Sequence, residues 1–272
     1  YSAIYEQAIL LYETVSGETK ALKIVYDIAT DSLVTDKISV NGSLNIPTLN
    51  AEWERRQEAI LTGGSFGTKS FVVSSNGIVV FDFFKLINGN ISYKEFGNVF
   101  ADETCNRSVT QDDNFIYIGG GDSEQDTGLY RIAISDLATS DKYLVKDRAQ
   151  LSIPVSANKY PIYNTVESIF VYGKKSADNS LSMSIVSEQK KSELDFDNDR
   201  TVIALNKISS SQFNRHYPDL HTVNFDGHEF LIVMSGRQGE TTDLTKYVDA
   251  FDVDRRRWVL LPELPVVLKN AT

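Results

Sequence analysis

Short runs of β-branched and aromatic residues, broken by Gly, Asn, Asp and Ser, recur along nearly the whole chain. This succession constrains the fold more than any other feature, because such runs read as strands and their breaks as turns. The clearest are Ala21–Ile28, Ser70–Ser74, Ile78–Phe84, Phe115–Ile118, Leu129–Ile134, Ser168–Tyr172, Leu181–Val186, Phe230–Met234, Val248–Val253 and Arg257–Leu261. Only the first dozen residues and Asn50–Ile60 read as short helices. Alternating βαβ folds need a helix of about 10–15 residues between strands, and none is present. The expectation is an all-β fold.

The runs also repeat. In the last copy, His221–Phe225 leads through Asp226-Gly227 to Phe230–Met234 and Ser235-Gly236. A polar loop to Asp243 follows, then Tyr247–Asp252 and Arg257–Leu261. The middle copy runs from Arg107–Thr110 through Phe115–Ile118 and Gly119-Gly120-Gly121 to Leu129–Ile134. Weaker copies begin near residues 8, 70 and 168. Steps of about 45 to 62 residues fall in the range of propeller blades with loop insertions. A twisted four-stranded blade cannot bury both faces alone, so neighbours stack radially and share a core. The reading is therefore a single β-propeller domain of four-stranded blades, five of them readable within a range of five to seven. Approximate boundaries are 1–45, 46–100, 101–150, 151–208 and 209–272. The chain starts at Tyr1 rather than Met, which reads as a processed chain or an excerpt.

The last copy resembles a kelch repeat: strand, small-residue pair, loop, Tyr with Asp, then Trp and a Leu-Pro pair. Here that is Phe230–Met234, Ser235-Gly236, Tyr247 to Asp252, Trp258 and Leu264-Pro265. Phe115-Ile116-Tyr117-Ile118-Gly119-Gly120 is similar. The resemblance is to the kelch-like, galactose-oxidase-like propellers, and it covers about two of the five units. It implies either a non-catalytic module that binds a protein partner or scaffolds an assembly, or an enzyme using the axial pocket. The enzyme would be a copper oxidase or act on sugars. A copper oxidase of that kind uses a Cys–Tyr crosslink with further Tyr and His ligands from several blades. Here Cys105 is the one thiol, and His216, His221 and His228 lie in one short stretch, so those ligands cannot be placed.

A net charge of −10 lacks the basic footprint that nucleic acids require and disfavours anionic membranes. No run of 18 apolar residues suggests membrane insertion. One cysteine precludes an intrachain disulfide. Four N-x-[ST] sequons, at Asn41, Asn90, Asn106 and Asn270, are about as many as chance gives this composition. Cytoplasmic and extracellular locations are both compatible.

Several motifs weaken on inspection. Gly63-Gly64-Ser65-Phe66-Gly67 matches G-x-S-x-G, but a strand rather than a helix follows, so a glycine-rich turn explains it better than a nucleophile elbow. Gly63 to Ser70 lacks the contiguous Gly-Lys-Ser of a phosphate loop, and the glycines at 119–121 lack a dinucleotide fingerprint. Asp195-Phe196-Asp197-Asn198-Asp199 alternates carboxylates as Ca²⁺ sites do, yet Arg200 and Asn206 occupy the positions where an EF-hand needs Gly and Glu. A solvated acidic turn is the simpler reading. Spacings of five and seven give the histidines no helical metal pair, and strand packing accounts for His221. Arg255-Arg256-Arg257 reads as a turn between the third and fourth strands. No catalytic, cofactor or metal residue is assigned.

A loop face remains. Loops after second strands and links between blades meet at one end of each blade, where a rigid scaffold presents binding residues. They carry Trp53, Arg56, Tyr160, Tyr163, Arg215, Tyr217, Arg237 and Gln238, together with Phe213. Trp, Tyr and Arg are the types enriched at interface hot spots, which makes this set the expected partner-binding surface.

Overall fold

The computed structural model describes residues 7–13, 19–27, 29–38, 62–74, 77–100, 107–119, 128–140, 144, 146–151, 162–164, 169–174, 181–186, 194, 196, 202–203, 205–210, 215–216, 219–238 and 244–266. Among them, strands form five antiparallel-dominated sheets and one two-stranded ribbon. The chain divides into two compact units. One holds 1–105 and 134–145; the other holds 106–133 and 146–272.

In the first unit, β1 (Gln7–Glu13), β2 (Thr19–Asp27) and β3 (Ser32–Ile38) form a three-stranded meander. Residues 7–12, expected as helix, are therefore strand. Their apolar residues pair across the ladder, Leu10 with Leu22 and Ala8 with Ile24, and this pairing overrides local propensity. The second sheet is β4 (Thr62–Phe66), β5 (Lys69–Val73), β6 (Ile78–Asp82) and β7 (Tyr93–Phe96). Its core is Phe71, Val73, Ile78, Val80 and Phe96. The run Ile78–Phe84 stops being strand at Asp82, whose carboxylate accepts the Lys85 N–H at 3.1 Å and caps the short helix α1 (Phe83–Ile87). A second short helix, α2 (Ile134–Thr139), follows where the sequence suggests one more strand residue. Lys69 Nζ donates to the Ala138 carbonyl near its end at 3.4 Å.

The second unit begins with β8 (Val109–Gln111), β9 (Phe115–Gly119), β10 (Gly128–Ala133) and β11 (Lys146–Leu151). Next come β12 (Ile162–Asn164), β13 (Ile169–Lys174) and β14 (Leu181–Val186). The chain then visits the preceding sheet as β15 (Val202–Ile203), parallel to β11, and returns as β16 (Leu205–Ser210) against β14. The first strands of these two sheets, β8 and β12, are in contact. The last sheet is β18 (Asp219–Phe225), β19 (His228–Met234), β21 (Val248–Asp252) and β22 (Arg257–Leu261). Asp226 and Gly227 both have positive φ, 52° and 75°, as a two-residue hairpin turn between β18 and β19 requires.

Among the described residues, β6, β9 and β21 are buried on both faces over most or all of their length. All five residues of β21 are buried, as are Ile78–Phe81 of β6 and Ile116–Gly119 of β9. A strand buried on both faces needs cover on each side, as stacked blades provide. Each such Phe or Ile contributes roughly 1.5–3 kcal/mol through burial. Trp258 packs edge-on against its cross-strand partner Phe251, with ring centroids 5.3 Å apart, so this aromatic has a packing role. The turn after β21 is held by the fully buried Asp252. Its Oδ1 accepts the Arg255 backbone N–H at 2.9 Å, and its Oδ2 accepts Arg255 Nη1 at 3.2 Å. The arginine cluster thus lies on the turn between third and fourth strands, as expected, although Arg257 itself opens β22.

Candidate functional site

The hairpin β18–β19 does not stop at the edge of its sheet. Beyond Asp219 and Met234 the chain pairs again as β17 (Arg215–His216) and β20 (Arg237–Gln238). One register runs through both ladders. From Phe225↔His228 to Asp219↔Met234 to His216↔Arg237 and Arg215↔Gln238, each step back on one strand matches one forward on the other. The interruption has a backbone cause. Ser235 and Gly236 take φ of 56° and 91°, outside the strand range. Two-residue β17 and β20 thus form an arm at the end of the sheet where the link from the preceding sheet meets the loop after the second strand.

The base of that arm is fixed. Ser235, Gly236 and Thr245 are buried. Thr245 N–H donates to the Gly236 carbonyl at 3.0 Å, closing the loop, and Thr245 Oγ1 accepts the Tyr247 N–H at 3.1 Å. Leu264 N–H donates to the Lys246 carbonyl at 2.9 Å, and Lys246 Nζ donates to the Pro265 carbonyl at 3.2 Å. The segment after β22 is thereby tied to the same loop.

Of the expected partner-binding residues, Arg215, Arg237 and Gln238 come together on this ribbon, Arg215 directly opposite Gln238. Tyr163 lies within β12, paired with Phe170. The chain leading to Tyr163, expected as a link between blades, is strand at its start in β11 and at its end in β12. Trp53, Arg56, Tyr160, Phe213 and Tyr217 lie outside the described residues. His216 joins the ribbon opposite Arg237, a neighbour that only the ladder register reveals.

A second cluster, on the sheet of β8 to β11, escaped the sequence reading. Tyr117 on β9, Arg131 on β10 and Asp147 on β11 stand in one cross-strand row. Arg131 bonds the Asp147 carboxylate through Nε at 3.0 Å and Nη2 at 2.6 Å. Its guanidinium lies over Phe115 and Phe196, 5.1 and 4.5 Å from the ring centroids. Tyr117 donates its hydroxyl to Asp112 at 3.0 Å. Burial, then the Asp112 charge, pushes the Tyr117 phenol well above the ordinary tyrosine pKa. Phe196 is buried, and its carbonyl accepts the Arg148 N–H at 3.0 Å. The acidic run is thus tied to the sheet at Phe196, while its four polar members lie outside the described residues. The pattern to seek in such a sequence is an aromatic embedded in an acidic run, with an Arg amid strand apolars.

The G-x-S-x-G stretch, expected as a glycine-rich turn, is strand from Gly63 to Phe66, and only Gly67 lies in the turn to β5. Ser65 pairs with Ser70 in the β4–β5 ladder, so there is no strand–turn–helix to expose a nucleophile. Gly63 is required by packing, since a Cβ there would sit 2.0 Å from the Phe71 carbonyl oxygen.

No family model and no curated protein sequence matches the chain. Solved structures do. The chain is similar to that reported as the structure of YjhT, at TM-score 0.54 and 11% identity over 94% of this chain and 81% of the other. It is also similar to a fungal alcohol oxidase of the AA5 family in complex with copper. There the TM-score is 0.53 and the identity 11%, over 97% of this chain and 64% of the oxidase. Both are propeller-fold proteins. The fold is an all-β propeller. Identity at this level carries fold and nothing further.

The donor set can be tested against the copper such an oxidase holds. His221 pairs with Ile232, four residues along β19 from His228, so the two histidines are ~13 Å apart along the ladder. Strand side chains stand perpendicular to the sheet, so these rings do not converge. His228 Nδ1 is 2.9 Å from Asp254 Oδ2. His216 lies at the opposite end of the hairpin from His228. His221 is exposed on β18, so the expected packing does not explain it. Among the described residues no three His, Cys, Asp or Glu side chains group to hold a metal. The side chains of His221 and His228 do not converge to hold copper together.

Proposed function

We propose that the chain is a kelch-like propeller domain spanning 1–272 that binds a protein partner through the loop end of its sheets. The partner-facing element is the β17–β20 arm, with Arg215, Arg237 and Gln238 on it; Tyr217, which follows β17 in sequence, belongs to the same proposed surface. The observation that supports this is the continuous register from sheet into arm, which holds loop residues on a hydrogen-bonded scaffold. Strands such as β21 are consumed by burial along their length, and the arm beyond Met234 is free of that packing demand.

A photo-crosslinking residue placed at Gln238, with another at Asn224 near the opposite end of the same hairpin, tests the reading. Expected adducts form at position 238 and not at 224, and Arg215→Ala with Arg237→Ala abolishes them. Equal adducts from both ends, or adducts indifferent to the arginine changes, end the proposal.

The alternative is a propeller enzyme, either a copper oxidase or one acting on sugars. The fold shared with the alcohol oxidase motivates it without carrying its activity, and the histidine spacing weighs against its copper form. Stoichiometric copper in the purified protein would reverse that order.

A further inference from the structure

Of the four sequons, one has its asparagine among the described residues. Asn41 and Asn270 lie outside the described residues, as does Asn106, whose followers Arg107 and Ser108 are buried. Asn90-Ile91-Ser92 lies in the turn between α1 and β7, and Asn90 is exposed.

Its backbone is held firmly. Asn88 N–H donates to the Lys85 carbonyl at 3.2 Å, Gly89 N–H to the Leu86 carbonyl at 3.0 Å, and Asn90 N–H to the Lys85 carbonyl at 2.9 Å. Asp82 N–H donates to the Ser92 carbonyl at 3.0 Å. The neighbouring amide is already used, since Asn88 Nδ2 donates to the Phe84 carbonyl at 2.8 Å. The Asn90 carboxamide makes no hydrogen bond among the described residues. A substituent on its nitrogen would break no side-chain bond and would leave the turn's backbone bonds intact.

From this geometry we infer that Asn90 is an acceptor for an N-linked glycan when the chain is made in a secretory compartment. The donor is an oligosaccharide on a polyprenyl diphosphate. Asn90 Nδ2 bonds to the anomeric carbon, the bond from that carbon to the diphosphate oxygen breaks, the diphosphate leaves as an anion, and the amide gives up one proton. Transfer takes place on the nascent chain, where the Ser92 hydroxyl completes the recognition triplet. The fold then decides whether the sugar is tolerated, and an exposed, unbonded amide on a rigid turn tolerates it.

The test is secretion of the full chain from eukaryotic cells behind a signal peptide, with peptide mass spectrometry before and after glycosidase. The expected result is a glycan on the Asn90 peptide. It is lost in both Asn90→Gln and Ser92→Ala, and occupancy rises in Ser92→Thr. Soluble secreted protein with an unmodified Asn90 peptide overturns the inference, whether or not other sequons are occupied. The same holds if occupancy is unchanged in Ser92→Ala. None of these readouts depends on partner binding.

Discussion

The Asp252→Asn change isolates a buried acid that could be mistaken for a catalytic one. Asp252 is fully buried and accepts two bonds from Arg255, through Oδ1 at 2.9 Å and Oδ2 at 3.2 Å. Asparagine keeps one acceptor but turns an amide N–H₂ toward the guanidinium. The lost charge-assisted bond is worth about 1.5–3 kcal/mol in general. Here Arg255 is 49% exposed and Arg257 63%, so water screens both. Counting about 1 kcal/mol for the bond and about 1 for the poorly paired buried amide gives a loss of about 2 kcal/mol at pH 7. The pH dependence carries a sign. Burial alone would raise the Asp252 pKa, but the Arg255 bonds and the charges of Arg255 and Arg257 outweigh it, so the folded value lies below the ordinary 3.8. A depressed folded pKa adds stability above the unfolded value and loses it as pH falls through the folded one. Urea titrations of both proteins should show a gap that is flat at neutral pH and shrinks below about pH 3.8. A variant within about 0.5 kcal/mol of wild type at pH 7, or a gap that persists undiminished in acid, refutes this role.

Gly63→Ala should cost more than about 2 kcal/mol because its Cβ meets the Phe71 carbonyl oxygen at 2.0 Å, whereas Gly67→Ala, at φ +52° with open space, should cost about 1–2; thermal melts of the pair settle the order. Phe196→Ala should lose about 3–5 kcal/mol and increase proteolysis near residue 196, since the ring covers Arg131 and Tyr117. Tyr117 should not ionise in the usual tyrosine range on ultraviolet titration of the folded protein. Its raised pKa means that its contribution is complete below pH 10 and is lost as pH rises beyond it, a slope that Tyr117→Phe should remove. In a double-mutant cycle, Phe251→Leu with Trp258→Leu should show about 0.5–1.5 kcal/mol of coupling.

The second strands were legible because their signal is local. Phe115–Ile118 and Phe230–Met234 are apolar runs bounded by turn residues, and each is found within a strand as read. The helices were not legible. Phe83 and Phe84 continue an aromatic run that reads as strand, and only the Asp82 cap ends it. The excursion of Val202–Ile203 to a parallel pairing was equally hidden, since two residues carry no periodicity. The candidate site was legible by residue type but not by partnership. Arg215 and Gln238 are 23 positions apart, and their opposition follows from a hairpin register set elsewhere, at Asp226-Gly227. The same register separates His221 from His228, although the sequence places them only seven apart.

The buried acids bear on the proposal that recognition belongs at the ends of these sheets. The third strand of the last sheet, β21, is buried along its whole length, including Asp249 and Asp252. In a catalytic pocket such carboxylates would be first suspects. Asp252, however, turns both carboxylate oxygens to its own following turn, so its burial stabilises the blade. A face that must pack against a neighbour cannot also admit substrate, and charges on it are retained only where local bonds offset their desolvation. Strand ends escape that demand. The hairpin can lengthen past Met234 into the β17–β20 arm without altering the packed ladder behind it, and new residue types placed there cost the core nothing. On this scaffold, substitutions on β21 should therefore register as loss of stability, and substitutions on the arm as loss of partner with stability retained.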